Sequence, residues 1–353
     1  MEGFFMKGFR VVLALLIILA AAVPTLAADA KEVEAAFATS LHATSRGMAY
    51  WYDKAQGGIE TVSGVPYGDL PCKNCHVATC AGCHDAGADK KAEPARANAR
   101  GQEVCLECHQ RQAAVMAADK AAGVEDAHTA AGLSCTDCHP GTDLHGDGKA
   151  YDSMKQPGAI APTCEMKGCH DQMKKLEAHS MHGKKLDCTA CHVRQTVSCT
   201  NCHMETLSKE GKKVAIRAAG WVFLMNYRGK VASANTQSFV LAGGKTFTIF
   251  APNFPHSVVK QARGCRECHG TATAIAAKKT GKVKLTWLDE SGTQQNLKGI
   301  VPVVEGVAYE FAYQDYADGK WTPIADPAAP RIQFAGYGTP LTGQQLMQLL
   351  QSR

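Results

Sequence analysis

The chain has 353 residues, of which 45% are hydrophobic, 20% charged and 7% aromatic, and it carries 33 Gly, 14 Pro, 16 Cys and 14 His. These proportions exclude a disordered tail, a collagen-like repeat and a coiled coil. The formal charge of +5, with Lys and Arg scattered except for pairs such as Lys90-Lys91 and Lys184-Lys185, leaves no footprint for nucleic acid. A length of this order suits about two domains, but so few aromatic residues leave little core material, so something besides side chains is expected inside.

Residues 1–27 read as a signal peptide. Lys7 and Arg10 precede an uncharged apolar stretch, Val11 to Val23, and Pro24-Thr25-Leu26-Ala27 supplies small residues for cleavage. The stretch is short for a membrane span, which needs about 20 residues. The mature chain is therefore expected to be exported, to the periplasm or beyond, without a stable membrane span.

The cysteines fall into eight pairs, each followed at once by histidine. Seven have two intervening residues: Cys72 and Cys75 with His76, Cys80 and Cys83 with His84, Cys105 and Cys108 with His109, Cys135 and Cys138 with His139, Cys188 and Cys191 with His192, Cys199 and Cys202 with His203, and Cys265 and Cys268 with His269. The fifth in chain order, Cys164 and Cys169 with His170, has four. A random chain of this composition would hold roughly 0.03 copies of the two-spacer pattern, the attachment signature of c-type haem. On a helical turn residues i, i+3 and i+4 share a face, so both thiols can form thioethers to one haem while the histidine reaches its iron. Disulfides or zinc would use paired cysteines too, but neither demands a histidine after every second one. In the four-spacer motif the extra residues must loop out, and Gly168 before Cys169 allows such a bend.

On these eight motifs the chain resembles the multihaem c-type cytochromes, specifically the octahaem group. The resemblance implies eight covalently bound haems c, with the sixteen cysteines as attachment points and His76, His84, His109, His139, His170, His192, His203 and His269 as proximal iron ligands. Closely spaced haems with two histidine ligands suit electron transfer between exported redox partners, including the variant in which identical subunits stack into a filamentous conduit. The alternative is an octahaem oxidoreductase acting on nitrite, hydroxylamine or a sulfur oxyanion at an open haem; against it, the Lys-containing attachment site of pentahaem nitrite reductases is absent.

The expected fold is short helices and loops wrapped around closely packed haems, followed by a β-rich module. Residues 28–205 form the haem-rich domain with seven motifs, and residues 206–353 the β-rich domain with the eighth. Helices are expected at Lys31–Ser45, Gln112–Ala122 and Gln172–His182. Strands follow at Trp221–Tyr227 and Val231-Ala232 around a turn at Arg228-Gly229-Lys230, at Ser238–Leu241 and Thr246–Phe250 around Gly243-Gly244-Lys245, and at Lys282–Leu288, Gly299–Val304 and Val307–Tyr313. A last helix is expected from Gly343 to Gln351, with Thr342 and Gln345 as a capping box. The β-rich part is expected to be a distinct module that docks a partner or an identical subunit; the alternative is a cover that only shields the haem chain from solvent.

Six histidines stand outside the motifs: His42, His128, His145, His179, His182 and His256. In a chain this rich in iron sites each is expected to be a distal ligand. His179 and His182, three apart, suit presentation to two neighbouring haems. Six distal histidines for eight irons leave two short, with Met48, Met154 and Met181 as further candidates, although Met more often fills irregular core space.

Overall fold

The computed structural model describes residues 30–71, 77, 79–84, 98–172 and 176–351. The expected signal peptide and residues 173–175 lie outside them. So does the whole first motif: the expected attachment points Cys72 and Cys75 and the expected proximal ligand His76 are not among the described residues.

From residue 30 to about 192 the described chain consists of short helices and turns. Helices occupy Ala30–Phe37 and Arg46–Tyr52, where one from Lys31 to Ser45 was expected, and Gln110–Ala121, within a residue or two of expectation. Of the stretch expected from Gln172 to His182, the described helix is Glu177–Met181.

Thirteen strands follow among the described residues: β1 Thr196–Thr200, β2 Cys202–His203, β3 Ile216–Tyr227, β4 Lys230–Leu241, β5 Lys245–Pro252, β6 Lys282–Lys284, β7 Thr286–Leu288, β8 Gln294–Asn296, β9 Gly299–Pro302, β10 Ala308–Glu310, β11 Gln314–Ala317, β12 Lys320–Pro323 and β13 Arg331–Phe334. A seven-stranded sheet runs β1-β3-β4-β5-β13, with β9 also on β3 and β2 also on β4. The β3–β4 turn sits at Arg228-Gly229, both with positive φ, the conformation that matches the twist of a two-residue hairpin. Val231-Ala232 and Ser238–Leu241 are two parts of one strand, β4, because its polar middle is buried and paired along its length. Lys282–Leu288 divides into β6 and β7, since Leu285 between them turns inward to a fully buried position and donates to Glu310 of β10. The C-terminal helix runs Gly343–Leu349 with the expected capping box between Thr342 and Gln345.

β3 is buried on both faces: Trp221, Phe223 and Met225 on one, Val222 and Leu224 on the other, as befits a strand covered on both sides. Each such side chain contributes about 1.5–3 kcal/mol through burial. A polar line crosses this core, in which the Trp221 indole N–H donates to the Ser198 hydroxyl, and that hydroxyl donates to Asn235 Oδ1.

The sheet begins before the domain boundary expected at residue 205. β1 pairs with β3 and β2 with β4, so Cys199–His203 belongs to the sheet. Nor does the β-rich part stand apart. Gln333 on β13 donates to the carbonyls of Trp51 and Gln56, the Trp51 indole donates to Ser153, and Arg111 reaches Gln237 on β4. Of the motif helices, Cys188–His192 packs on β4 and Cys265–Cys268 on β9.

Candidate metal centres

Each described motif folds as a short helix or a closed turn, with one exception. Ala81–His84, Gln102–Cys108, Cys135–Cys138, Cys188–His192 and Cys265–Cys268 are helical. In four of these the histidine N–H donates to the carbonyl of the first cysteine, at 2.8–3.0 Å: His84 to Cys80, His109 to Cys105, His139 to Cys135 and His269 to Cys265. The four-spacer motif restores the same closure. His170 N–H donates to the Cys164 carbonyl at 3.2 Å, while Gly168 takes φ +86°, which only glycine adopts at low cost.

The histidine rings meet in pairs. His42 faces His109, His84 faces His145, His128 faces His170, His139 faces His256, His179 faces His192 and His182 faces His269, with ring centroids 6.1–6.4 Å apart. Each pair joins one motif histidine to one of the six non-motif histidines. Two imidazoles on opposite sides of a single metal atom, each bound at about 2.0 Å, place their centroids about 6.2 Å apart. Three of the pairs are near-coplanar, with interplanar angles of 14–18°. In the other three the rings cross at 54–69°.

Hydrogen bonds prepare several of these rings as ligands. The Nδ1–H of His192 donates to the Val259 carbonyl at 2.9 Å, that of His269 to Gln348 at 2.9 Å and that of His256 to Phe254 at 3.3 Å; His139 Nδ1 lies 3.0 Å from Asp143 Oδ2. A proton held on Nδ1 leaves the Nε2 lone pair for a metal. Burial, followed by the neighbouring histidine, lowers the pKa of His42 and His256, which favours the neutral imidazole that ligation requires. Asp126 supports two pairs at once. It caps the helix Ala127–Ala130 by accepting from His128 and Thr129, and its other oxygen accepts from Val258, two residues from His256.

The thiols form a sequence of neighbours. Burial and then Cys108 push the Cys83 thiol up, and burial and then Cys135 push Cys105 up to about 11. Cys138 is raised by burial and then by Cys169. Cys164 and Cys188 share a hydrogen bond, so the pair gives up one proton easily and the other with difficulty. Cys268 is pushed up to about 11 by burial, with Cys191 adding to it. The second, third, fourth, fifth, sixth and eighth motifs therefore follow one another in space. No disulfide joins any two of the fourteen described cysteines, a set that leaves out Cys72 and Cys75. No group of three or more His, Cys, Asp or Glu suited to a bare metal ion occurs among the described residues, which leaves the zinc reading without a ligand set there.

The exception is Cys199–His203. Cys199 lies opposite Arg217 on β3 and Cys202 opposite Phe239 on β4, so the motif crosses between the two long strands instead of forming a helical turn. His203 N–H donates to Val214, not to Cys199, and Cys202 is buried. The ring caps the helix Met204–Glu210: its Nδ1 accepts from Thr206 N–H at 3.3 Å, and its Nε2–H donates to Asp315 Oδ1 at 2.8 Å. Tyr316 lies beside it, centroids 6.2 Å apart.

Every non-motif histidine already faces another motif, so none is left for His203 or for His76, which with Cys72 and Cys75 lies outside the described residues. The side chains of Met48, Met154 and Met181 are exposed. Sequence reasoning missed Asp126, Thr206 and Asp315. An aspartate two residues before His128 is a recognisable cap signal, whereas Asp315 reaches His203 only through the tertiary fold. The chain matches no protein-family model, no curated protein and no solved structure.

Proposed function

We propose that the chain is an octahaem c-type cytochrome that passes electrons between exported redox partners. The observation that carries this reading is the one-to-one pairing of six motif histidines with all six non-motif histidines across a gap the width of one metal atom. The residues fit haem in three further respects: in five described motifs the thiols precede the histidine on a helical turn, thiols of successive motifs lie side by side, and several Nδ1 protons are held by carbonyl or carboxylate oxygens.

Bound haem supplies a one-electron couple at each site, tuned by axial ligands, hydrogen bonds and burial. The chain's own residues do the rest. The motif cysteines would hold each group covalently, and at six motifs the paired histidines would both serve as ligands and so keep exogenous ligands out. Val259, Gln348, Phe254 and Asp143 hold the rings in orientation. The succession of neighbouring motifs, from the second through the sixth to the eighth, would set bound groups close enough together for an electron to pass between them in short steps.

Mass spectrometry of the mature protein tests the count, with eight additions of haem mass expected; seven, with an unmodified peptide containing Cys72 and Cys75, would reject the first site. Electron paramagnetic resonance tests the ligation. Coplanar and crossed imidazole planes split the iron orbitals differently, so two low-spin classes of about equal size should appear, and loss of either class or absence of haem rejects the reading. The second reading, an oxidoreductase with an open haem, draws support from His203, whose partner is a carboxylate and not an imidazole.

A further inference from the structure

A cleft of about 530 Å³, the size of a small-molecule site, opens between the β3–β4 turn, the loop at 337–339 and the helix Gly343–Leu349. Its walls are fixed before anything binds. Asn226 and Thr339 exchange both backbone hydrogen bonds at 2.9 Å, and the Asn226 amide donates to the Pro340 carbonyl and to Gln345 Oε1, which also accepts from the Thr342 N–H. The Tyr227 hydroxyl and one Arg228 nitrogen both donate to the Lys155 carbonyl, at 2.8 and 3.3 Å, and the guanidinium lies over the Tyr227 ring, 4.9 Å from its centre. Tyr337 takes φ +59°, a conformation costly to a residue with a bulky side chain, and its ring meets Trp51 edge-on, centroids 5.1 Å apart. Glycine would occupy that turn at less cost, but it would leave the cleft without the ring, and Tyr337 remains 42% exposed there.

The uncommitted groups set the chemistry of a ligand. Lys185 and Arg228 are exposed cations, and no carboxylate stands among the described residues that line the cleft, so an anion is favoured, with the guanidinium fork matching a carboxylate or sulfonate. The side chains of Lys185, Gln344 and Gln348 engage no other described residue, whereas Asn226 and Gln345 spend their amides on each other. A sugar, with a hydroxyl on nearly every carbon, needs more polar partners than that, while a flat ring needs only the Tyr337 face. We propose that this cleft binds a small planar aromatic anion, its acidic group on Arg228 and Lys185 and its ring on Tyr337. The Lys185 N–H donates to the His182 carbonyl, and the Gln348 carbonyl holds His269 Nδ1, so the cleft borders both facing rings of the eighth motif. On the multihaem reading a ligand there lies beside a one-electron site; the binding itself does not depend on that reading.

The test is calorimetric titration of the full mature protein with a naphthalene dicarboxylate, for which one saturable site per chain is expected. A cyclohexane dicarboxylate of the same charge, and glucuronate, should each bind about tenfold more weakly. Arg228→Gln should weaken binding of the naphthalene compound about tenfold by removing a charge-assisted contact, and Lys185→Gln should weaken it in the same direction. Tyr337→Gly, which suits the positive φ, should bring the affinities for the naphthalene and cyclohexane compounds together. Absence of saturable binding, equal or tighter binding of the cyclohexane compound or of glucuronate to the wild type, or unchanged affinity in Arg228→Gln or in Tyr337→Gly would each overturn the proposal. Haem-loaded protein that fails to bind the probe leaves the multihaem reading standing, and binding by a protein without haem leaves this site standing while removing that reading.

Discussion

Asp126 is the residue through which a single substitution should loosen two histidine pairs. One of its oxygens accepts from the His128 and Thr129 N–H groups at 2.8 and 3.2 Å, and the other accepts from Val258 at 2.6 Å. The first contact sets the helix carrying His128, which faces His170; the second fastens the segment carrying His256, which faces His139. Losing an N-cap costs about 1 kcal/mol, and losing a hydrogen bond to a charged acceptor costs about 1.5–3 kcal/mol. Asp126→Ala should therefore make local opening easier by about 3 kcal/mol, or about a hundredfold at 1.36 kcal/mol per decade. Hydrogen exchange of the Thr129 and Val258 amides reads this directly. Asp126→Asn separates the two contributions: its carbonyl oxygen still caps the helix, but its NH2 cannot accept from Val258. Exchange should then accelerate at Val258 and stay near wild type at Thr129. Unchanged protection at Val258 in both variants would refute the coupling of the two segments through this side chain.

Thr342→Ala should cost about 1 kcal/mol by removing the cap of Gly343–Leu349, read as a lower denaturation midpoint, and because Gln348 in that helix holds His269 Nδ1, the absorbance of the haem proposed at that motif should shift with it. Lys155→Met should stabilise the protein at pH 7: burial, then Arg228 and Arg111, hold the Lys155 ammonium well below its ordinary pKa, and the buried amine has no hydrogen-bond partner. With the folded pKa depressed, the unfolded chain binds the extra proton, so wild-type stability rises with pH up to the ordinary lysine value of about 10.4. The advantage of the methionine variant should shrink between pH 7 and pH 10, and a constant advantage would refute the argument. Finally, the formal +5 falls to +4 without Glu2, Lys7 and Arg10 of the expected signal peptide, and the eight proposed haems, each with two ionised propionates and one ferric charge, should bring the oxidised protein to about −4; cationic migration in native electrophoresis would show this wrong.

The candidate ligands were legible because their chemistry is local. A cysteine, a second cysteine three residues on and a histidine next to it share one helical face whatever the rest of the chain does, and five described motifs have that helical structure. Even the irregular Cys164–His170 announced its bend through Gly168. The Arg228-Gly229 turn and the Thr342 cap were readable for the same reason, since each depends on a few adjacent residues. The unity of β4 was not, because Ser233, Asn235, Thr236 and Ser238 look like surface residues until hydrogen bonds and neighbouring strands enclose them.

By itself the sequence determined which residues are candidate anchors and ligands, and, by count, that two motif histidines would lack a histidine partner. Only the tertiary structure decided who faces whom. His128, His182 and His256 each precede a motif closely in sequence, yet they face His170, His269 and His139, not the histidine of the motif that follows. Ring pairing is a long-range matter of how helices lie on the sheet, and no local pattern encodes it. The same holds for Cys199–His203, whose spacing matches the helical motifs. Pairing with β3 and β4 outweighs that local preference, because the strands on either side bury its neighbours and satisfy its backbone, and so sets His203 against Asp315.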